Sequence, residues 1–286
     1  MPPAPLPFAL LLTRLDGVGR VTAHRLAERF GSLARVRATP REQVLLRLKG
    51  APRAERTVAT LFDGAAMAGA EAELRREIEA LAPRGVRVLS PGDAAWPRGM
   101  DALDRSDRPV ALWVYGHLDA LAQRSVAVVA HPPLAAAPFE EATRLAAEAA
   151  RRGLAVATGA AHGFDLAVQK TVLGAGGRVV AVVGAGLAQL VPSMRPGATA
   201  LVRAGGALVS PFPMPHGPFD HDDSERARVQ AALAGATVGV AVGADSPGAR
   251  ALAAFPERAF SLGGAPVDAT ALDGDAAPLW AALGVA

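Results

Sequence analysis

The sequence predicts a doubly wound α/β domain, built on a parallel sheet, that follows a smaller helical domain. In the later part of the chain, short apolar runs rich in β-branched residues alternate with stretches suited to helices. These runs are apolar almost throughout, which is typical of strands buried on both faces of a parallel sheet. An Ala- and Glu-rich helical segment, "GAEAELRREIEALAPRG", precedes them. We therefore predict a helical domain at residues 1–72 and the sheet domain at residues 73–286.

The individual elements follow from hydrophobic periodicity and turn residues. The predicted strands are "VRVL", "ALWVY", "SVAVVA", "LAVA", "RVVAVV", "ALVS", "TVGVAV" and "RAFSL". Helices are predicted between the later strands, at residues 139–152, 163–175, 223–235 and 247–255. In a sheet of this kind ligands bind beyond the carboxyl ends of the strands, so the loops that follow the strands are the candidate site.

Composition limits the class of protein. With 286 residues and 51% hydrophobic content, the chain can bury one large core and a smaller companion domain. No stretch reaches the roughly 20 apolar residues that span a bilayer, and the apolar start "MPPAPLPFALLL" is interrupted by prolines. We therefore expect a cytoplasmic protein with no membrane segment. The chain has no cysteine, which excludes disulfides and thiolate metal sites, and we expect no metal and no cofactor.

Positive charge is concentrated at the start of the chain. Residues 1–60 contain eleven Lys or Arg and four acids, a net charge of +7, whereas the whole chain carries only +3. Clustered arginines release counterions when they contact phosphates, so this segment favours a polyanionic partner such as nucleic acid. The alternative is an ordinary solvated helical surface.

A glycine-bounded turn lies within this basic segment. Gly17 and Gly19 flank Val18, and "VTAHRLAERF" follows with apolar Val21, Leu26 and Phe30 at roughly helical spacing. The pattern predicts a helix, a hairpin and a second helix that ends at Gly31. Backbone amides at the start of the second helix could bind a phosphate, with the side chains of Arg20 and Arg25 beside them. A plain helical corner is the alternative.

Glycines also follow several predicted strands. In "LAVATGAAHGFDLAVQK" the strand ends at Thr158 and Gly159, and Gly163 and Asp165 begin a helix. Gly184 and Gly186 follow the next strand, in "VVGAGLAQLVP". Glycine lets a ligand or another backbone approach closely, so these loops could accept a phosphodiester backbone. Alternatively, these glycines only allow the chain to turn between each strand and the helix that follows it. An acid beside phosphate is repulsive, so Asp165 is expected to be structural.

The serial order of these segments resembles the DprA/Smf family (DNA processing protein A) over about residues 10–265. "WP" followed by "RPVALWVYG" is similar to that family's entry to its sheet, and the "TGAAHGFD" segment is similar to its Ser-Gly-x-Ala-x-Gly-Ile-Asp signature. "GGRVVAVVGAGLAQLVP" and "ARVQAALAGATVGVAV" resemble two later family segments. The resemblance implies a helix-hairpin-helix or SAM-like N-terminal region followed by an extended Rossmann domain. The candidate DNA-binding residues are Gly17, Gly19, Arg20, Arg25, His131, Thr158, Gly159, His162, Gly163, Lys170, Gly184, Gly186, Arg195, Arg226 and Arg228.

The chain departs from the family pattern at several positions. The family's Gly-(Ser/Thr)-Arg, whose arginine binds phosphate, is replaced here by Ala130, His131 and Pro132. We expect no winged helix after the sheet domain. His131 and His162 could act as pH-dependent phosphate ligands, or they are ordinary loop histidines. Lys170 could reach a phosphate or lie on the surface. Two further histidines and three acids could ligate a metal but more often cap a helix: His216, Asp220, His221, Asp222 and Asp223.

The resemblance implies a non-catalytic protein that binds and protects single-stranded DNA and helps to load a RecA-type recombinase. The process would be natural transformation (competence) or DNA repair, and the family dimerises through the Rossmann domain, so a homodimer is expected. One alternative is a nucleotide-binding or phosphoribohydrolase-like Rossmann enzyme, although "DSPGARALAAF" lacks the glutamate of that enzyme's loop. The other is a degenerate paralogue that serves as a protein scaffold.

Overall fold

The computed structural model of the protein describes residues 6–130, 133–160, 163–264 and 268–285. The chain forms two compact units, one of residues 1–93 and 104–111 and the other of residues 94–103 and 112–286. The boundary expected near residue 72 falls inside a helix that continues to Leu81. Met67, Leu74 and Leu81 of that helix are buried, so the helical unit extends beyond the expected boundary.

The first unit is mainly helical. A glycine ends one of its helices: Gly31 adopts a left-handed conformation, with φ of 69°, after the helix Arg20–Phe30. A side chain begins another: Asp63 caps the helix Gly64–Leu81 by accepting hydrogen bonds from Ala65 N and Ala66 N at 2.9 and 3.0 Å. The elements are α1 (Phe8–Leu12), α2 (Arg20–Phe30), α3 (Leu33–Arg37), α4 (Arg41–Arg47), α5 (Ala54–Phe62), α6 (Gly64–Leu81) and β1 (Val86–Leu89).

The predicted helix after the glycine turn is present as α2, and it ends at Gly31 as expected. Leu26 and Phe30 are buried, but Val21 is 41% exposed. Val21 therefore does not share the buried face of Leu26 and Phe30. Ala23 and His24 lie on the buried face instead, because residues three and four positions apart share a helix face.

The second unit contains the predicted alternation of strands and helices. Its elements are β2 (Leu112–Gly116), α7 (Asp119–Ala122), β3 (Ser125–Ala130), α8 (Ala136–Arg151), β4 (Ala155–Gly159), α9 (Gly163–Gly174), β5 (Val179–Val182), α10 (Arg195–Arg203), β6 (Ala207–Ser210), α11 (Asp222–Ala232), β7 (Ala236–Val240), α12 (Pro247–Ala253), β8 (Ala259–Leu262), β9 (Thr270–Ala271) and α13 (Ala277–Ala282).

The strands of this unit confirm the doubly wound, Rossmann-like α/β fold. Their order across the sheet is β2-β6-β5-β4-β3-β7-β8-β9, and every pair is parallel except β2 with β6. β3 and β4 are buried along their whole length, which explains their continuously apolar sequences. Because β3 to β8 are parallel, their carboxyl ends lie along one edge. We call this edge, with the loops that follow the strands, the carboxyl edge.

The sequence did not predict four described elements of the second unit: α7, α10, β9 and α13. Helix α10 has the sequence "RPGATALVR", in which Pro and Gly suggest a turn. In the structure the proline lies in the first turn of the helix, where its missing N–H breaks no hydrogen bond.

Within the described ranges, no helix combines the length and the apolar character needed to cross a membrane.

His24 is a buried titratable group in the first unit. Its ring is 2% exposed, and Nε2 lies 3.0 Å from the carbonyl oxygen of Arg108. Burial lowers the pKa of His24 below 6.5, and the positive charge of Arg108 acts in the same direction. The first unit therefore folds around a neutral imidazole.

Lowering the pH from about 7 to about 5 is expected to destabilise the protein through His24. The folded pKa lies below the unfolded value of 6.5, so the unfolded chain binds the proton first and stability falls as the pH drops through this range. His24→Gln, which does not titrate, should lose less unfolding free energy over the same interval. Urea denaturation at each pH measures the difference, with the exposed His117→Gln as control. Equal losses in all three proteins would contradict the prediction.

Candidate nucleic-acid interface

The carboxyl edge brings together most of the predicted residues of the second unit. Thr158 and Gly159 end β4, Gly163 begins α9, and Gly184 follows β5. His131 and His162 lie outside the described residues. The positions of the described strand ends agree with the expectation that the loops after the strands share one edge.

A buried arginine lies beneath this edge. Arg226, on α11, is only 2% exposed, and its guanidinium donates from Nε to Asp223 Oδ1 at 3.0 Å and from Nη1 to Gln230 Oε1 at 3.0 Å. Gln230 in turn donates from Nε2 to the carbonyl oxygens of Val128 at 2.7 Å and Ala157 at 3.0 Å. Helix α11 is thus fixed to β3 and β4 by hydrogen bonds.

Gly159 is required for the close approach of this arginine to β4. A Cβ on Gly159 would overlap both Oδ2 of Asp165 and Nη1 of Arg226. Asp165 is 3% exposed, so its carboxylate faces the interior of the unit. The location of Asp165 agrees with the structural role expected from the sequence. Gly159 gives room to a buried pair of charged side chains.

Thr158 and Gln169 complete the buried polar cluster. The hydroxyl of Thr158 donates to the carbonyl oxygen of Gly159 at 2.8 Å, and Gln169 Nε2 donates to the same oxygen at 2.8 Å. Thr158 is fully buried. Its hydroxyl also accepts from Gln169 Nε2 at 3.2 Å, so it joins the end of β4 to α9 and does not face solvent.

The predicted residues thus divide into buried and accessible groups. Thr158, Gly159, Gly186 and Arg226 are buried, and Gly184 and Arg228 are half-buried. Arg226 in this conformation offers no exposed guanidinium to a phosphate. The exposed candidates in this unit are Gly163, Lys170 and Arg195.

Gly186 allows a second close approach, between the loop after β5 and residues 211–221, which we call the aromatic loop. A Cβ on Gly186 would overlap the carbonyl oxygens of Pro213 and Met214. Gly186 N donates to the carbonyl oxygen of His216 at 2.8 Å. The glycine therefore serves loop packing, which sequence reasoning could not distinguish from ligand approach.

The acids and histidines considered as metal ligands have other contacts. Asp222 is 1% exposed; His216 Nε2 lies 3.1 Å from its carboxylate oxygens, and Phe219 N donates to Oδ2 at 3.0 Å. His221 Nε2 lies 3.4 Å from Oδ1 of the same carboxylate. Within the described ranges, no three His, Cys, Asp or Glu side chains are arranged to hold a metal ion.

In the first unit, the two arginines proposed beside the glycine turn differ in their contacts. Arg20 donates from Nη1 to the carbonyl oxygen of Ser106 at 3.1 Å. Arg25 lines a cavity of about 270 Å³ together with Arg29 and Arg47. Gly17 has a φ of 79°, which favours glycine, and Gly19 precedes α2 in an extended conformation.

A larger cavity of about 390 Å³ is lined by Arg29, Arg35 and Arg47, with Phe30 buried beside them. We call the four residues Arg25, Arg29, Arg35 and Arg47 the arginine groove. Among the described residues, no carboxylate forms an ion pair with any of the four. Sequence reasoning identified Arg25 alone, because helices α2, α3 and α4 must pack before their arginines converge.

Glu28 also lines the smaller cavity, but its charge is neutralised by arginines outside the groove. Arg105 Nη2 lies 2.7 Å from Oε2 of Glu28, and Arg108 Nη1 lies 3.3 Å from Oε1. The hydrogen bond from Arg105 lowers the pKa of Glu28, so the carboxylate remains ionised and paired at neutral pH. The groove therefore keeps its positive charge.

Comparisons with known proteins agree with this fold. The family model described as DNA recombination-mediator protein A matches residues 87–255, more than half of the chain. The putative DNA processing protein DprA of Mycobacterium tuberculosis (strain H37Rv) is 32% identical over 199 residues, which cover 65% of this chain and 51% of that protein. Protein Smf of Escherichia coli (strain K12) is 36% identical over 145 residues, which cover 49% of this chain and 37% of that protein. The chain thus spans about half the length, or less, of the curated relatives it matches.

Two solved structures share the fold at low sequence identity. The X-ray structure of DNA processing protein A (DprA) from Streptococcus pneumoniae has a TM-score of 0.58 at 18% identity and covers 93% of each chain. A structure of DNA processing protein A from Helicobacter pylori, described in connection with its single-stranded DNA binding mode, has a TM-score of 0.58 at 17% identity. It covers 70% of this chain and 96% of that one.

The glycine at the end of β4 gives a direct test of the buried cluster. Gly159→Ala is expected to destabilise the protein by about 1–3 kcal/mol, since the new Cβ would overlap Asp165 and Arg226. Gly163→Ala is the matched control, because a Cβ there meets nothing within 4 Å. Denaturant unfolding compares the variants, and equal effects would show that the close approach at Gly159 is absent.

The buried guanidinium can be tested against an exposed one. Arg226→Met should cost about 3 kcal/mol or more, because Asp223 and Gln230 lose their donor in a mostly buried position. Arg195→Met, at an exposed site, should change the free energy of unfolding by no more than about 0.5 kcal/mol. Urea unfolding measures both. A near-neutral Arg226→Met would mean that the guanidinium is not needed to hold α11 on the sheet.

Proposed function

Because the chain belongs to the DNA recombination-mediator protein A (DprA/Smf) family, we propose that it binds single-stranded DNA and takes part in DNA processing without catalysing a reaction itself. The observation that best supports this proposal is the arginine groove of the first unit. Four guanidinium groups converge on two adjoining cavities without a pairing carboxylate among the described residues. Such a surface suits a chain of phosphates.

In the first unit, phosphodiester groups would bind along the arginine groove. Arginine presents several N–H donors in a planar fork, which suits phosphate oxygens. Among the described residues that line the larger cavity there is no acid, so no carboxylate there competes with a phosphate. Binding here would be electrostatic, independent of base sequence and sensitive to salt.

In the second unit, the strand would contact the exposed part of the carboxyl edge. Helix α9 begins at Gly163, next to the end of β4, and Lys170 is exposed on the same helix. Backbone amides at a helix N-terminus and a nearby lysine both attract phosphate. The buried Arg226 would act indirectly, by holding the strand ends and α11 in place. Gly184 and Arg228 remain candidates for contact.

The proposal extends to partners that the family membership implies. We propose that the protein protects single-stranded DNA, helps to load a RecA-type recombinase in natural transformation or repair, and acts as a homodimer in the cytoplasm. The segment "DSPGARALAAF" supports a non-catalytic protein. It contains the whole of α12, where Ser246 caps the helix by accepting from Ala249 N at 3.1 Å, and it has no glutamate.

The contribution of the arginine groove can be measured by salt dependence. Arg29→Gln combined with Arg47→Gln removes two cations shared by both cavities. If each meets a phosphate, the slope of log affinity against log salt for single-stranded DNA should become shallower by about 1.4. Fluorescence anisotropy of a labelled oligothymidine at several salt concentrations measures the slope.

The matched control is Arg76→Gln combined with Arg84→Gln, which makes the same change of charge at exposed positions outside the groove. This control should keep a slope close to that of the wild type. If both double variants change the slope equally, net charge alone is responsible. If neither does, the groove is not part of the DNA-binding surface.

A further inference from the structure

The aromatic loop presents an exposed aromatic pair to solvent. Phe219 is 56% exposed, and the side chain of His221 is 81% exposed. Their rings lie nearly parallel, with an interplanar angle of 4° and centroids 5.7 Å apart. Phenylalanine is usually buried, so an exposed phenylalanine beside an exposed imidazole is a candidate binding surface.

The segment that carries this pair is fixed by hydrogen bonds and ring contacts. The buried carboxylate of Asp222 accepts from Phe219 N at 3.0 Å. The ring of His216 packs edge-on against Phe219, with centroids 5.2 Å apart, and stacks on Phe212 at 4.3 Å with an interplanar angle of 4°. Phe212 N donates to Ser210 Oγ at 3.0 Å, at the end of β6. Phe219 is therefore the exposed end of a row of rings anchored at a strand end.

The row stands at the carboxyl edge. It begins directly after β6, whose neighbour β5 is parallel and ends at Val182. The hydrogen bond from Gly186 N to the carbonyl oxygen of His216 joins the aromatic loop to the loop that follows β5. A strand bound at this edge would therefore pass close to Phe219.

The charges around Phe219 disfavour a phosphate at this position. Asp220, the next residue in the chain, is exposed, and Asp222 and Asp223 follow. Carboxylates repel phosphate, whereas an aromatic face attracts another flat, uncharged ring. The chemistry of the loop therefore suits a base more than a backbone.

We propose that Phe219, flanked by His221, is a stacking platform for one unpaired nucleobase. This proposal deepens the proposed function and rests on it. A base inside a duplex has both faces covered by its neighbours, so a platform of this kind favours single strands over duplex. Since every base has a π-face, the platform would accept any base.

The test combines substitutions at Phe219 with the removal of the bases from the DNA strand. Phe219→Ala, Phe219→Leu and Phe219→Trp are titrated with a labelled oligothymidine and with an abasic strand that has the same number of phosphates. The Ala and Leu variants should bind oligothymidine about 5- to 150-fold more weakly, the range expected for one lost stack, and the Trp variant should retain affinity. On the abasic strand all three should match the wild type, and salt slopes should not change.

Tyr115→Ala is the control, because this exposed aromatic pairs with Leu208 near the amino end of β6, away from the carboxyl edge. It should bind both strands like the wild type. The platform is refuted if Phe219→Ala and Phe219→Leu bind oligothymidine like the wild type, or lose affinity equally for the abasic strand. A wild-type protein that fails to bind oligothymidine even at low salt would overturn the proposed function and the platform with it.

Discussion

The geometry of the carboxyl edge depends on the hydrogen bonds that the buried guanidinium of Arg226 makes. It reaches Asp223 and Gln230 on its own helix, and Gln230 extends the hydrogen bonding to carbonyl oxygens of the adjacent strands β3 and β4. A buried charge is tolerated only when its donors are satisfied, which is why Gly159 must lack a side chain beside it. Strands β3 and β4 and helix α11 are thereby held in one arrangement.

This constraint separates the charges that hold the fold from those available to a ligand. A guanidinium enclosed by Asp223 and Gln230 cannot also meet a phosphate without leaving its site. Charges for a polyanion must therefore come from accessible residues, such as the candidates Lys170 and Arg195 in the second unit and the arginine groove in the first. The aromatic loop adds a different chemistry, an uncharged ring face beside acids, so that phosphate and base would be recognised by different parts of the protein.

The sequence was sufficient to predict the sheet, but it could not define the whole site. Continuous apolar strands separated by helices allow few other folds, and the glycine at position 31 ended α2 as predicted. The structural role of Arg226 could not be assigned from the sequence, since the sequence pattern around an arginine on an amphipathic helix does not show whether its side chain is buried and paired or exposed. The arginine groove draws on three helices, and the stacking of Phe219 depends on contacts made by Asp222, so both emerge only from tertiary packing.

The most direct test of the account is the affinity of the wild-type protein for a labelled homopyrimidine single strand and for a duplex of equal length, measured by fluorescence anisotropy over a range of salt concentrations. The account predicts tighter binding to the single strand, with affinity that falls steeply as salt rises, because phosphates meet arginines and unpaired bases meet an aromatic face. Weak binding to both at low salt, or equal binding to both, would contradict it.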